Sequence, residues 1–208
     1  MVHPSRVRAV TARPTLATVR RMAERRLYLV RHGEADGHDD DSELTDLGVA
    51  EAIATAERLA NAGIETIHHS PLRRAAHTAT LINEHLHVVA QADEIVGDYI
   101  PSDPTDEAEL PAAWIEFLAG FTDAERIDGP RLAARALDRF ATTPEVDACE
   151  LIVTHNFTIG GFVCAALGAP PWRWMTLNQA NCGITIIRYR AGFPPALVCF
   201  NDVGHLKA

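Results

Sequence analysis

Residues that can do chemistry follow three short apolar segments of the 208-residue sequence. Each segment reads as a buried strand, and the residues after the three segments are Arg31 and His32, then Ser70, Arg73 and Arg74, then His155 and Asn156. In an open parallel sheet the carboxyl ends of the strands meet at one edge, where ligands bind. A lone histidine or arginine would carry little weight, but three such strand ends predict one shared site.

Arginines and histidines in this arrangement suit attack on a phosphoryl group. Arginine forks match phosphate oxygens with paired, charge-assisted hydrogen bonds, and they stabilise the charge that develops in the transition state. A neutral imidazole between them is a suitable nucleophile, because nearby positive charge disfavours the imidazolium and a backbone acceptor on one ring nitrogen leaves the other free. This chemistry requires no metal and no cofactor.

Alternating strands and helices are predicted to position these residues. The predicted strands lie at residues 27–30, 64–69, 88–89, 151–154, 184–189 and 196–200. The predicted helices follow the capping residue Thr45, span 70–86, 114–121 and 131–140, and run from Asn156 to Gly168. The alternation predicts an α/β fold, a three-layer α/β/α arrangement with a mostly parallel central sheet.

Two parts of the chain differ from this pattern. Residues 1–26 contain seven arginines and one acid, so we interpret them as an Arg-rich N-terminal extension ahead of one folded domain at 27–208. A short docked helix or a transit peptide are the other readings of that extension. Residues 90–111 contain seven acids and four prolines or glycines, which predicts a long excursion and no continuous element.

The composition restricts the classes of function. The formal net charge of −9 repels polyanions, so no nucleic-acid partner is expected. The sequence has no stretch of 18 apolar residues and no unbroken apolar segment near its start, which predicts no membrane partner and a cytoplasmic location. The four cysteines contain no CxxC pair and lie in or beside apolar runs, as expected of buried reduced thiols.

Four motifs resemble those of a known family. They are Leu-Val-Arg-His-Gly-Glu at 29–34, Leu-Thr-Asp-Leu-Gly at 44–48, Ser-Pro-Leu-Arg-Arg-Ala at 70–75 and Val-Thr-His-Asn at 153–156. In this order they resemble the histidine phosphatase superfamily, which has the phosphoglycerate-mutase-like fold. The resemblance extends over about residues 27–206.

The resemblance implies a role for each matched residue. His32 corresponds to the nucleophile that becomes phosphorylated, and Arg31, Arg74 and His155 correspond to the phosphate pocket, with no metal. The pocket arginine of the third motif precedes the alanine, so Arg74 is preferred and Arg73 is expected to reach solvent or a carboxylate. Ser70 is read as a helix cap or as a contact to substrate.

The proton donor is the main departure from the family pattern. Members usually place a glutamate after the third strand, in a Leu-x-Glu context, whereas this chain has Asp-Glu-Ile-Val-Gly-Asp-Tyr at 93–99. Matching Val96 to that leucine assigns the catalytic acid to Asp98. Glu94 is the alternative, and the absence of any acid from this loop is a third reading.

The loop from Asp36 to Glu43 is a second departure. The polar residues that usually follow Glu34 in the family are replaced by Ala-Asp-Gly-His, so a phosphate contact is expected to be missing. The loop itself reads as a solvated acidic segment, as a metal site without recognisable spacing, or as a selector against polyphosphorylated metabolites. Asn181 is considered both as a pocket residue and as an ordinary loop residue.

The resulting prediction is a metal-independent phosphatase that hydrolyses a phosphomonoester or phosphoramidate through a phosphohistidine on His32. A small phosphorylated molecule or a phosphoprotein would be the substrate, and the sequence is also compatible with a homodimer. A phosphoglycerate-mutase-type phosphotransferase is the rival enzyme. A non-catalytic phosphate-binding regulatory module is the rival from another class, and the absence of a usable proton donor would be its mark.

Overall fold

The computed structural model describes residues 22–37, 39, 41–104 and 110–206, and predictions that concern residues 1–21, His38 and Asp40 lie outside these ranges. The strands are β1 Glu24–Arg31, β2 Thr66–His69, β3 Val89–Ala92, β4 Ala148–Thr154, β5 Ile184–Arg190 and β6 Ala196–Asp202. The α-helices are α1 Asp46–Leu59, α2 Arg73–Leu86, α3 Ala112–Leu118, α4 Asp123–Phe140 and α5 Asn156–Leu167. Two short 3-10 helices span Glu94–Val96 and Pro171–Thr176.

The six strands form one mixed sheet in the order β3-β2-β4-β1-β5-β6. Strands β3, β2, β4 and β1 are parallel, whereas β5 runs antiparallel to β1 and β6 antiparallel to β5. This arrangement confirms the predicted α/β class with a mostly parallel sheet. Strand β1 begins at Glu24, three residues before the predicted strand, because residues 24–26 already pair with β4 and β5.

Helices cover both faces of the sheet. Leu27 and Leu29 of β1 pack in a cluster with α4 and α5, whereas Tyr28 and Val30 pack in a second cluster with α1 and α2. Successive side chains of a strand point to opposite faces, so a strand buried on both sides reads as one continuous apolar run. The two clusters confirm the three-layer α/β/α arrangement.

The helix boundaries follow from local signals. Thr45 caps α1 by accepting a 3.1 Å hydrogen bond from the Gly48 amide. Helix α4 begins at Asp123, eight residues before the predicted start, because Thr122 and Glu125 form a capping box. Pro130 therefore lies inside this helix, and the predicted start at residue 131 is wrong.

Within the described ranges, no helix is both long and apolar enough to cross a membrane.

Candidate active site

His32 follows β1 at the carboxyl edge of the sheet, and its two ring nitrogens have different partners. Nδ1 lies 2.7 Å from the carbonyl oxygen of Gly33, which can only accept, so Nδ1 carries the hydrogen. Nε2 accepts a 3.3 Å hydrogen bond from Nε–H of Arg74. Both contacts favour the same neutral tautomer, in which Nε2 is unprotonated and directs its lone pair toward Arg74 on the pocket side of the ring.

Close backbone contact holds the loop after His32 in place. A Cβ atom at Gly33 would lie 2.5 Å from the Gly48 carbonyl oxygen, and one at Gly48 would lie 2.0 Å from the Glu34 carbonyl oxygen. Glycine is therefore required at both positions, which belong to two of the four motifs. The Gly33 amide also donates to Thr78 Oγ1, which in turn donates to the Arg74 carbonyl, so β1 and α2 are joined beside the site.

Arg74 is the central cation of the pocket. It lies in the first turn of α2, and its side chain is 3% exposed. Besides His32, its guanidinium reaches the carbonyl oxygen of Asp39 at 2.8 Å, Oδ2 of Asp98 at 2.9 Å and Nδ1 of His155 at 3.4 Å. The neighbouring Arg73 points away from the pocket, is 59% exposed and forms an ion pair with Glu43.

His155 lies between β4 and α5, opposite His32. Its ring centroid is 5.1 Å from that of His32, and Nε2 lies 2.8 Å from Ser70 Oγ. Ser70 Oγ also accepts a hydrogen bond from the Leu72 amide, but Leu72 is the N-cap residue of α2 and no side chain caps this helix, so the reading of Ser70 as a helix cap is wrong.

Both histidines are buried among cations, and this determines their charge. Burial, then the neighbouring His155 and the two arginines, lowers the pKa of His32 to about 3. Burial, then Arg74 and Arg31, lowers the pKa of His155 to about 3 as well. Each imidazole is therefore neutral near pH 7, and a neutral imidazole is what nucleophilic attack by His32 requires.

Arg31, the last residue of β1, has one hydrogen-bond donor in use. Its Nη1 donates to the Gln179 carbonyl oxygen at 2.6 Å, while its buried Nε has no hydrogen-bond partner among the described residues. Burial lowers the pKa of its guanidinium, which nevertheless stays charged. An unpartnered buried donor on a cation beside the pocket is suited to an anionic ligand.

The loop after β3 carries Asp98 to the pocket. Oδ2 of Asp98 lies 3.4 Å from Nδ1 of His155 as well as 2.9 Å from Arg74, and its side chain is 35% exposed. The loop is attached through its main chain, because Thr154 donates to the Val96 carbonyl and Thr158 to the Gly97 carbonyl, each at 2.6 Å. Glu94, the alternative acid, lies in the preceding 3-10 helix and faces solvent.

Four further residues contact the site, and the sequence analysis either missed them or left their role open. Asn181 donates a 2.9 Å hydrogen bond to the His32 carbonyl, so it supports the loop through its backbone. Thr78 and Gln179 also contact site residues, but a threonine inside a helix and a glutamine in a loop have no signal that distinguishes them. Asp39 of the acidic loop touches the pocket through its carbonyl oxygen.

A cleft of about 360 Å³ opens beside Arg74 and Asp98. Its remaining wall is formed mainly by the first half of α4 and by aromatic side chains. Within the described ranges no group of three or more His, Cys, Asp or Glu residues is arranged to hold a metal ion.

The fold and the pocket together define an α/β protein with two neutral histidines and two arginines gathered at the carboxyl edge of its sheet. The profile of the histidine phosphatase superfamily (branch 1) matches residues 27–203. The chain therefore belongs to this superfamily, and the resemblance seen in the four motifs is confirmed.

Curated relatives share about a third of the aligned residues. The mitochondrial serine/threonine-protein phosphatase PGAM5 of Homo sapiens is 31% identical over 192 residues, which cover 88% of this chain and 64% of that protein. The Caenorhabditis briggsae Pgam5 is 30% identical and is covered to 65%. The chain thus spans just under two thirds of the length of these relatives. Because both are described as mitochondrial, the prediction of a cytoplasmic location is overturned.

Solved structures confirm the fold. A phosphoserine phosphatase from Entamoeba histolytica, in complex with 3-phosphoglyceric acid, superposes with a TM-score of 0.68 at 24% identity, covering 88% of this chain and all of that one. A putative alpha-ribazole-5'-P phosphatase from Escherichia coli gives a TM-score of 0.67 at 20% identity, over 85% of this chain and 96% of that one.

Proposed function

We propose that this protein is a phosphatase that hydrolyses phosphomonoesters or phosphoramidates through a phosphohistidine on His32. The observation that carries the proposal is the pair of contacts made by His32, from Nδ1 to the Gly33 carbonyl oxygen and from Arg74 Nε–H to Nε2, which leave Nε2 unprotonated in the pocket beside His155. In the first step Nε2 attacks phosphorus, and the bond from phosphorus to the leaving oxygen or nitrogen breaks. In the second, water attacks the phosphohistidine, inorganic phosphate forms, and His32 regains its neutral form.

In this proposal Arg31, Arg74 and His155 bind the transferred group. Arg31 offers its unpartnered Nε, and Arg74 exchanges its contacts with Asp98 and the Asp39 carbonyl for phosphate oxygens. Positively charged donors fixed before the reaction stabilise the charge that develops on these oxygens. His155, held by Ser70, adds a hydrogen bond from its side of the pocket.

Asp98 is proposed as the general acid. Its carboxyl group lies at the mouth of the phosphate pocket and borders the cleft where a leaving group would lie. When phosphate displaces the carboxylate from Arg74, Asp98 is positioned to carry a proton to the leaving oxygen and to take one from the attacking water. The solvent-facing Glu94 lacks this placement.

Relatives support a phosphatase over the rivals. Proteins named as serine/threonine-protein phosphatases match 88% of this chain. A probable phosphoglycerate mutase from Proteus mirabilis is 29% identical over 79% of the chain, but carboxylates line the cleft where the carboxylate of a phosphoglycerate would have to bind. A non-catalytic module is disfavoured because an acid lies beside the pocket. We further propose that catalysis is independent of metal.

Trapping of the covalent intermediate tests the proposal. Wild-type protein is mixed with p-nitrophenyl phosphate carrying labelled phosphorus, and the reaction is quenched in base; base-stable, acid-labile label is expected on the protein. His32→Ala should show neither label nor turnover, whereas His77→Ala, which removes an exposed histidine on α2, should behave as wild type. Turnover that survives in His32→Ala would overturn the covalent mechanism.

A further inference from the structure

The cleft beside the phosphate pocket has one wall made by a single helical face. Glu125, Asp128 and Leu132 of α4 all line it, and residues spaced by three or four positions share one face of a helix. The same cleft contains Arg74 and Asp98, so it is continuous with the pocket described above. A group attached to the ester oxygen of a bound substrate would occupy this space.

The walls of the cleft that α4 does not form are largely apolar. Phe121 and Phe157 both line it, with ring centroids 6.4 Å apart and ring planes at 72°. Leu72, just before α2, adds an aliphatic surface. An apolar segment of substrate would therefore be removed from water next to the phosphate.

The fixed charge of the cleft is negative. Glu125 accepts hydrogen bonds from the Thr122 amide and hydroxyl at 2.8 and 2.7 Å, and these bonds lower the pKa of its carboxyl group, so it is ionised. Asp128 is paired with Arg131, but both side chains are more than half exposed, and such pairs are weak in water. Among the described residues that line the cleft, Arg74 is the only arginine or lysine, and the proposed mechanism assigns it to the phosphate group.

We propose that Glu125 and Asp128 select the leaving group, favouring phosphate esters whose apolar body carries a positive charge and rejecting those that carry a carboxylate. This inference rests on the proposed phosphatase function. A substrate cation next to the two carboxylates gains Coulomb attraction, whereas a carboxylate there would meet two like charges, with no arginine or lysine other than Arg74 among the described lining residues. The Phe121 and Phe157 rings would hold the apolar body and could contact a cation through their faces.

A matched series of aryl phosphates tests the selection. The para-aminomethyl, para-methyl and para-carboxymethyl derivatives of phenyl phosphate differ in charge, while the methylene group keeps the phenol leaving groups similar. For wild-type protein we expect kcat/KM to fall in that order, by about threefold to fivefold for each unit of charge, as for partly exposed ion pairs. High salt should reduce the differences in kcat/KM among the three esters, because it screens the charges.

Two neutralised variants assign the effect to residues. Glu125→Gln keeps the capping box, since glutamine also serves at that position, and it should reduce the ratio of kcat/KM between the cationic and anionic esters by about threefold to fivefold. Asp128→Asn should do the same. Asp138→Asn makes the same charge change at an exposed position near the other end of α4 and should leave the ratio at the wild-type value.

The outcomes separate this inference from the proposed function. A ratio near one in wild type, or an unchanged ratio in both cleft variants, would overturn the selection even if every ester is hydrolysed. Absence of hydrolysis of all three esters, with no covalent label, would overturn the phosphatase and the selection together. A phosphoserine peptide with an adjacent arginine, compared with its glutamate counterpart and with free phosphoethanolamine, then distinguishes a basic protein segment from a small amine as the source of the charge.

Discussion

The Nε–H of Arg74 donates a 3.3 Å hydrogen bond to Nε2 of His32. The atom proposed to attack phosphorus is therefore already hydrogen-bonded to the arginine proposed to bind the phosphate. A phosphate that enters the pocket would replace this contact. Its oxygens would accept hydrogen bonds from Arg74, and its phosphorus would be attacked by Nε2 of His32. Arg74, which is proposed to bind the phosphate, thus also favours the tautomer of His32 that the proposed attack requires.

The charge state of His32 can be measured directly. We expect nitrogen-15 NMR to show His32 as the neutral Nδ1–H tautomer at pH 5, because burial and nearby cations lower its pKa to about 3. A His32 signal that titrates near 6.5 would contradict the argument.

The same lowered pKa has a consequence for stability. Below pH 6.5 the unfolded chain binds a proton at this histidine and the folded chain does not, so the free energy of unfolding decreases as the pH falls toward 3. Wild type should lose about 1.4 kcal/mol per pH unit more than His32→Asn over this interval, measured by urea unfolding in phosphate-free buffer. Parallel curves of unfolding free energy against pH for wild type and His32→Asn would contradict this prediction.

The two consecutive arginines of the third motif should differ sharply. Arg74→Ala removes the cation that contacts His32 and His155, and we expect kcat/KM for p-nitrophenyl phosphate to fall by on the order of 100-fold or more. Arg31→Ala and His155→Ala should show comparable losses. Arg73→Ala, which removes only an exposed partner of Glu43, is the control, and a larger loss there than at Arg74 would reverse the assignment.

The role of Asp98 depends on the leaving group. An alkoxide needs a proton as it leaves, whereas p-nitrophenolate does not, so Asp98→Asn should slow hydrolysis of alkyl phosphates far more than that of p-nitrophenyl phosphate. Glu94→Gln is the matched control and should affect neither substrate strongly. Equal losses on both esters would make Asp98 a structural residue, and the opposite ranking of the variants would transfer the role to Glu94.

Removal of metal ions should not change the rate. The proposed mechanism assigns both charge stabilisation and nucleophilic attack to side chains, so dialysis against EDTA should leave kcat/KM at its starting value. Activity that disappears with EDTA and returns with one particular divalent cation would require a different mechanism.

The ends of β1 and β4 could be predicted because their apolar runs are buried on both faces and are followed by polar residues. His32, Arg74 and His155 are brought together by strand order alone, since β1 and β2 both lie beside β4. The register of Arg74 against Arg73 came from the family resemblance, and their burial in the structure differs as expected.

Other features depend on contacts that the sequence does not display. The early start of α4 had a signal in the sequence, the Thr122 and Glu125 capping box, which the prediction of a helix from residue 131 did not use. The position of Asp98 depends on Thr154 and Thr158, whose side chains reach carbonyl groups some sixty residues earlier in the chain. Hydrogen bonds of this kind leave no periodicity for a sequence pattern to reveal.

The attachment of this loop also bears on how the site can evolve. Both threonine hydroxyls donate hydrogen bonds to main-chain carbonyl groups of the loop. The attachment of the loop therefore does not depend on the side chain at position 98. Exchange of aspartate for glutamate, or loss of the acid altogether, would leave the loop on the same anchors that border His155. A lineage with this architecture can therefore change the esters it cleaves while inheriting an intact phosphate pocket.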